Sequence, residues 1–210
     1  MIEMTKNRFL GIPTTSITDA LGSKNYMDIS IKPLKQEWQL AGKAFTVDIS
    51  AGENISVLEA ISKAEAGDVL VIDGKSGTSN AFAGDFIIGL AKTKGLNGVV
   101  SNGVIRDIKG TKDLDFPVFC KGTTTAASKK NLIGKLNVPV NVGEVEVNPG
   151  DIIVADADGV AVIPKNNEEE VYQKTIERVK KDEERESRVG EDLEAVQDYL
   201  EKFLAEHKQG

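Results

Sequence analysis

Read for the alternation of apolar and polar side chains, the chain shows regular structure from about residue 16 almost to its end. Short runs rich in β-branched and aromatic residues predict strands over 44–48, 69–73, 98–101, 117–119, 138–142, 152–155 and 160–163. Apolar residues recurring every three or four positions predict helices over 16–21, 55–64 and 82–93, with a short helical turn near 107–112. Strands and helices interspersed in this way argue for an α/β layered domain. One run echoes another: residues 67–73 read GDVLVID and residues 150–156 read GDIIVAD. Each follows a turn and ends on an aspartate, which implies two related strands in one sheet system.

The pattern changes at Pro164. There a strand-like VAVIP gives way to KNNEEE, where Asn166 or Asn167 can cap a helix and three glutamates sit at the positive end of its dipole. Tyr172, Ile176 and Val179 form an apolar stripe, KKDEERESR has none, and after Gly190 a stripe resumes through Leu193, Val196, Leu200 and Phe203. This divides the chain into a body, 1–164, and a charged helical extension, 165–210. The extension either lies solvated on its own body or reaches a neighbouring subunit.

Composition sharpens the division. The 210 residues carry a net charge of −7, but 165–210 holds 14 acidic and 9 basic residues against 19 and 17 in the body. The acidity therefore belongs mostly to the extension, and it argues against nucleic acid as a partner. No run approaches the roughly 20 apolar residues of a membrane span, and the N-terminus has no apolar signal core, so a cytoplasmic location is expected. One cysteine (Cys120) and one histidine (His207, near the end) leave no means for an intrachain disulfide, a thiolate–imidazole zinc site or an internal histidine base. Chemistry here must use carboxylates, arginine, lysine, hydroxyls, backbone amides or a hard metal ion.

Two segments could supply it. Asn80-Ala-Phe-Ala-Gly84-Asp85-Phe86-Ile87 follows the loop Gly74-Lys-Ser-Gly-Thr-Ser79 and opens a helix, where free amides can seat a carboxylate or phosphate. The loop lacks the ending of a Walker A motif, and a plain β-to-α connection is the alternative. Asn102-Gly-Val-Ile-Arg106-Asp107 follows a buried strand, at the end where α/β sheets present side chains to ligands. Arg106 offers a planar fork for a carboxylate, and Asp107 an oxygen ligand for a hard cation; a surface ion pair between them is the alternative.

Together they give Asp-x20-Arg-Asp, from Asp85 to Arg106 and Asp107. With SITDAL at 16–21, AGKAFTV at 41–47, VNPGDIIVAD at 147–156 and DGVAVIP at 158–164, this resembles the RraA-like family. That family contains 4-hydroxy-4-methyl-2-oxoglutarate aldolases and the regulator of ribonuclease activity A, and the likeness spans roughly residues 14–190. The resemblance implies an αββα sandwich of the swivelling β/β/α type, assembled as a homotrimer or hexamer with sites at subunit interfaces. It implies a lyase that cleaves small 2-oxo acids to release pyruvate through a metal-stabilised enolate, with oxaloacetate decarboxylase activity. Carried over, the amides of Gly84, Asp85, Phe86 and Ile87 hold the pyruvyl part. Arg106 binds substrate and stabilises the enolate, Asp107 is the direct Mg2+ or Mn2+ ligand, and Asp85 lies near the metal through water. A glutamate from a neighbouring subunit, here Glu183 or Glu184, would complete the site. Asn102 stands where many relatives have aspartate, removing one charge nearby. A Schiff-base route would need a lysine of depressed pKa, and no local context points to Lys43, Lys75 or Lys121. The alternative within the same family is a non-catalytic regulator that binds a ribonuclease.

Overall fold

The computed structural model describes residues 7–130, 134–190 and 192–207. In chain order the elements are α1 (Thr14–Ala20), β1 (Lys32–Pro33), β2 (Leu40–Asp48), α2 (Ile55–Lys63), β3 (Val69–Asp73), α3 (Asp85–Thr93), β4 (Gly98–Ser101) and α4 (Ile108–Asp113). They continue with β5 (Val118–Cys120), β6 (Lys135–Leu136), β7 (Val140–Val142), β8 (Val145–Val147), β9 (Ile152–Ala155), β10 (Val160–Ile163), α5 (Glu168–Val189) and α6 (Leu193–His207).

A long second strand makes the sheet curl. The start of β2 pairs antiparallel with β9, Leu40 opposite Ala155, while its end pairs parallel with β3, Asp48 opposite Asp73. The order is β1-β5-β4-β3-β2-β9-β10, with β6 added beside the end of β2. The two echoing runs therefore flank the same strand, β3 on one side and β9 on the other.

Side chains alternate accordingly. From β3, Leu70 and Ile72 join an outer core with α2 and α3, while Val69 and Val71 join an inner core filled by the β7–β8 hairpin through Val140, Val142 and Val147. A strand buried on both faces reads as a continuous apolar run, as β3 does. From β9 and β10, Ile153 and Val162 point into that inner core. Ile152, Val154, Ala161 and Ile163 instead meet Phe9, Ile17 of α1 and Val171 of α5. The fold is thus a mixed α/β domain with a curled sheet and C-terminal helices.

Three expectations change. The helix expected from residue 82 begins at Asp85, because Ala81 and Phe82 donate their amides to the distant carbonyls of Ala126 and Val104. The run 138–142 contributes only Val140–Val142, as one arm of a hairpin. Asn167 occupies the start of α5, but its side chain makes no capping bond; Arg8 instead binds Glu168 and Glu169 at 3.1 and 2.6 Å and lies over the Tyr172 ring. The first turns of α5 lie on the body, with Val171 and Thr175 buried, while Leu193, Leu200, Phe203 and Leu204 of α6 are exposed. No helix among the described residues is long and apolar enough to cross a membrane.

One buried carboxylate ties the sheet to α1. Asp156 accepts the Thr14 amide at 2.8 Å, the Thr14 hydroxyl at 2.7 Å and the Asp158 amide at 3.0 Å. Asp156→Ala strands these donors and is expected to cost about 2 kcal/mol in urea unfolding, since a hydrogen bond to a charged group contributes roughly 1.5–3 kcal/mol.

Candidate functional site

β3 and β4 are parallel neighbours, so the loops leaving their carboxyl ends lie side by side. The Phe82 amide donates to Val104 at 3.0 Å and the Arg106 amide to Ala83 at 3.0 Å, which zips the loop before α3 to the loop before α4. On the other side the Ile105 amide donates to Gly122 and the Thr124 amide to Ile105, at 3.1 and 2.8 Å. Phe82 and Ile105 are buried, anchoring both loops in the core while Arg106 and Asp107 emerge.

Asp107 turns the chain into α4 with φ of 58°, a left-handed conformation that aspartate tolerates better than most residues. The turn brings its carboxylate against Gly84, where a Cβ would overlap Asp107 Oδ2 and stand 3.4 Å from Arg106 Cγ. The converse holds at Gly110 in α4, where a Cβ would overlap the Asp85 carboxylate. Each acid thus rests where the opposing turn has no side chain. Two segments separated by 20 residues become one cradle with Asp85, Arg106 and Asp107 around it.

Arg106 and Asp107 do form an ion pair, Nε to Oδ2 at 3.3 Å, with both side chains a little under half exposed. The pair sits against the start of α3, not on open surface. No side chain caps α3, but the Phe86 amide already donates to Asp85 Oδ1 at 2.7 Å. Of the four expected amides, that of Phe86 is therefore satisfied from within. From Arg106 and Asp107 an open groove of about 740 Å³ runs over Ile108, Lys109 and Gly110 to Thr123, Thr124 and Thr125.

Asn102 lies behind the cradle and is buried. Its Oδ1 accepts the Gly74 amide at 2.7 Å, and its Nδ2 donates to Asp73 Oδ1 at 2.9 Å and to the Asn141 carbonyl at 3.2 Å. It ties the ends of β3 and β4 to the hairpin. Burial opposes the charge of Asp73, but hydrogen bonds from Lys75 and Asn102 outweigh it and hold the carboxyl below its usual range. No sequence motif marks this network beyond the aspartate that closes GDVLVID.

Lys75 is not poised to form an imine. Lys75 Nζ lies 2.5 Å from Asp48 and 2.8 Å from Asp73. Partial burial opposes its charge, yet those two carboxylates hold its pKa above the ordinary value, the reverse of what a Schiff base requires. Lys121 donates to Ser76 Oγ at 3.3 Å, and Lys43 is exposed on β2. Burial pushes the Cys120 thiol up to about 11, so it supplies no thiolate. Glu183 and Glu184 lie on the solvated stretch of α5.

Among the described residues no three His, Cys, Asp or Glu side chains gather into a metal cage. The acidic donors at the cradle are the Asp85 and Asp107 carboxylates, the latter nearly half exposed against a glycine. That set suits Mg2+ or Mn2+, which keep several waters and accept few protein ligands.

Comparison with known proteins places the fold in a family. The family model RraA-like (Aldolase/RraA) matches residues 14–162, which include the whole cradle. A Halalkalibacterium halodurans protein named "Putative 4-hydroxy-4-methyl-2-oxoglutarate aldolase" is 49% identical over 197 residues, 94% of each chain. The RNA-processing inhibitor RraA from Thermus thermophilis superposes with TM-score 0.68 at 28% identity, over 73% of this chain and 93% of that one. A Geobacillus kaustophilus structure described as an S-adenosylmethionine:2-dimethylmenaquinone methyltransferase gives TM-score 0.68 at 32% identity, over 73% and 95%. Such different names on one fold mean that activity must be argued from the site. The matched span and the aldolase-named relative agree on one assignment: this chain is a member of the RraA-like family.

Proposed function

We propose that the protein is a divalent-metal-dependent lyase. It cleaves a C–C bond of a 2-oxo acid such as 4-hydroxy-4-methyl-2-oxoglutarate to release pyruvate, and it decarboxylates oxaloacetate. The observation that carries this reading is the contact of the Asp107 carboxylate and Arg106 with Gly84, which sets a carboxylate and a guanidinium beside the start of α3.

Asp107 would hold Mg2+ or Mn2+, with Asp85 across the cradle acting through water. The cation, when bound, supplies an electron sink for the charge that develops on the 2-oxo oxygen as the bond breaks. The amides of Gly84, Asp85 and Ile87 receive the substrate carboxylate at the positive end of α3. Arg106 binds the same head group with its planar fork and offsets the developing negative charge. The assembly we propose is a homotrimer or hexamer, with Glu183 or Glu184 of a neighbouring subunit as the remaining acid.

Purified protein stripped of metal is expected to release pyruvate from oxaloacetate only after Mg2+ or Mn2+ is restored, and to stop on adding chelator. Turnover indifferent to chelator would overturn the metal-dependent reading. A second reading, a regulator that binds a ribonuclease, is favoured by one observation: the exposed apolar side chains of α6 lie on an acidic helix suited to a basic partner. Protein inert toward oxo acids that recovers a ribonuclease stoichiometrically would support that reading instead.

A further inference from the structure

Glycine inside a helix weakens it relative to alanine, so its presence there calls for a reason. The two helices that border the cradle each hold one, Gly89 in α3 and Gly110 in α4. Neither adopts the left-handed φ that favours glycine, so the backbone at both places is open to alanine. Their surroundings differ. A Cβ at Gly89 would meet only Leu114, at the ordinary contact distances of 3.7 and 3.8 Å. A Cβ at Gly110 would overlap Asp85 Oδ2 and stand 2.9 Å from both the Cβ and the Cγ of Asp85. Because the Asp85 Cβ is among these atoms, turning the carboxylate does not clear the space; the start of α3 or of α4 would have to shift. Asp85 is also held from its own side, where Oδ1 accepts the Phe86 amide at 2.7 Å. Among the described residues Oδ2, the oxygen over Gly110, enters no hydrogen bond or ion pair.

Resting on the proposed function, we infer that Gly110 is a positioning residue. By lacking a side chain it lets the Asp85 carboxylate lie against α4, and that contact sets where Asp85 meets the waters of the cation. Gly110 itself touches neither substrate nor metal. Alanine at this place improves α4 taken alone and harms the site, which is how a local rule comes to be broken where function requires it.

The test is a double-mutant cycle in the full chain: wild type, Gly110→Ala, Asp85→Gly and both together, with Gly89→Ala as control. Glycine rather than alanine is used at 85 because the Asp85 Cβ is itself one of the close atoms. Urea unfolding reads the contact without reference to any reaction. Gly110→Ala alone is expected to lower the midpoint. Added to Asp85→Gly it is expected to raise it, since the overlap is gone and the helical preference for alanine remains. Gly89→Ala is expected to raise the midpoint and leave turnover unchanged. Mn2+ titration by electron paramagnetic resonance, with oxaloacetate turnover, reads the site. Gly110→Ala is expected to weaken Mn2+ binding about tenfold and to lower kcat, the scale of losing a group that orients a metal's ligands. Asp85→Gly has the same effect, and the double variant loses no more. Wild-type Mn2+ affinity and turnover in Gly110→Ala overturns the inference, as do effects that add in the double variant, whether in midpoint, affinity or turnover. A wild type that releases no pyruvate overturns the proposed lyase instead; coupled midpoints and coupled Mn2+ affinities in that protein still support Gly110 as the residue that places Asp85.

Discussion

Asp107→Asn is expected to lower pyruvate release from oxaloacetate by at least about two orders of magnitude while leaving the urea midpoint nearly unchanged. Loss of one group aimed at charge developing in the transition state has an effect of about 10²–10³ in rate. Asparagine suits this test because it tolerates the left-handed backbone at φ of 58°, whereas alanine there adds strain of its own, roughly 1–2 kcal/mol. Mn2+ titration followed by electron paramagnetic resonance separates the roles of the two neighbours. Affinity for Mn2+ is expected to fall in Asp107→Asn and to persist in Arg106→Ala, although both variants lose turnover. Arg106→Lys keeps the charge but not the fork, and is expected to recover only part of the activity. Full activity in Asp107→Asn, or unchanged Mn2+ binding, would sink the assignment of Asp107 as metal ligand.

The second large effect concerns Asn102. Asn102→Asp replaces an amide that donates to Asp73 and Asn141 with a carboxylate, setting two acids face to face in a buried place. The expected loss is about 3 kcal/mol near pH 7.5, the scale of an uncompensated buried charge. The sign of its pH dependence is distinctive. In the wild type the Asp73 carboxyl is held below its usual range, so its contribution is present above an unfolded pKa of about 3.9 and is lost only as pH falls further. In the variant the new acid favours its protonated form, so the penalty is full at neutral pH and fades as pH falls toward about 3.9. The gap between variant and wild type should therefore narrow from pH 7.5 to pH 5 in urea unfolding. A gap that stays constant or widens would show that Asn102 does not restrain the charge of Asp73.

Both outcomes bear on what a relative with aspartate at this place must do. The loss of charge near the site read from Asn102 is, in the folded chain, a matter of how the floor is braced, since the side chain faces β3 and the hairpin. The cradle in front keeps its carboxylates on Asp85 and Asp107. The amide thus bears on the placement of the Gly103–Asp107 turn more than on the chemistry within it.

Much of the fold was legible in advance because its strands are buried on two faces. Val69–Asp73, Gly98–Ser101, Ile152–Ala155 and Val160–Ile163 coincide with their expected ranges, since an apolar β-branched run of four or five residues has few other ways to be satisfied. The short partners β1, β6 and β8 left no such mark. Two or three residues carry too little periodicity, and their pairing is set by the neighbour they meet. The start of α3 departs from its expected place for a related reason: Phe82 and Ala83 suit a helix locally, but backbone bonds with Val104 and Arg106 hold them outside it.

By itself the sequence determined which chemistry is open to this protein. One cysteine and one histidine leave carboxylates, arginine, lysine, hydroxyls, backbone amides or a hard metal ion, and the resemblance to the RraA-like family singles out Asp85, Arg106 and Asp107. It also located most of the negative charge in the helical extension. Only the tertiary structure decided that Asp107 rests on Gly84 and Asp85 on Gly110, and that Asn102 braces the sheet. The reason is physical: residue type and local period report what a segment can bury and titrate. Which distant segment fills the space above a glycine depends on how the whole sheet curls, and no local pattern carries that information.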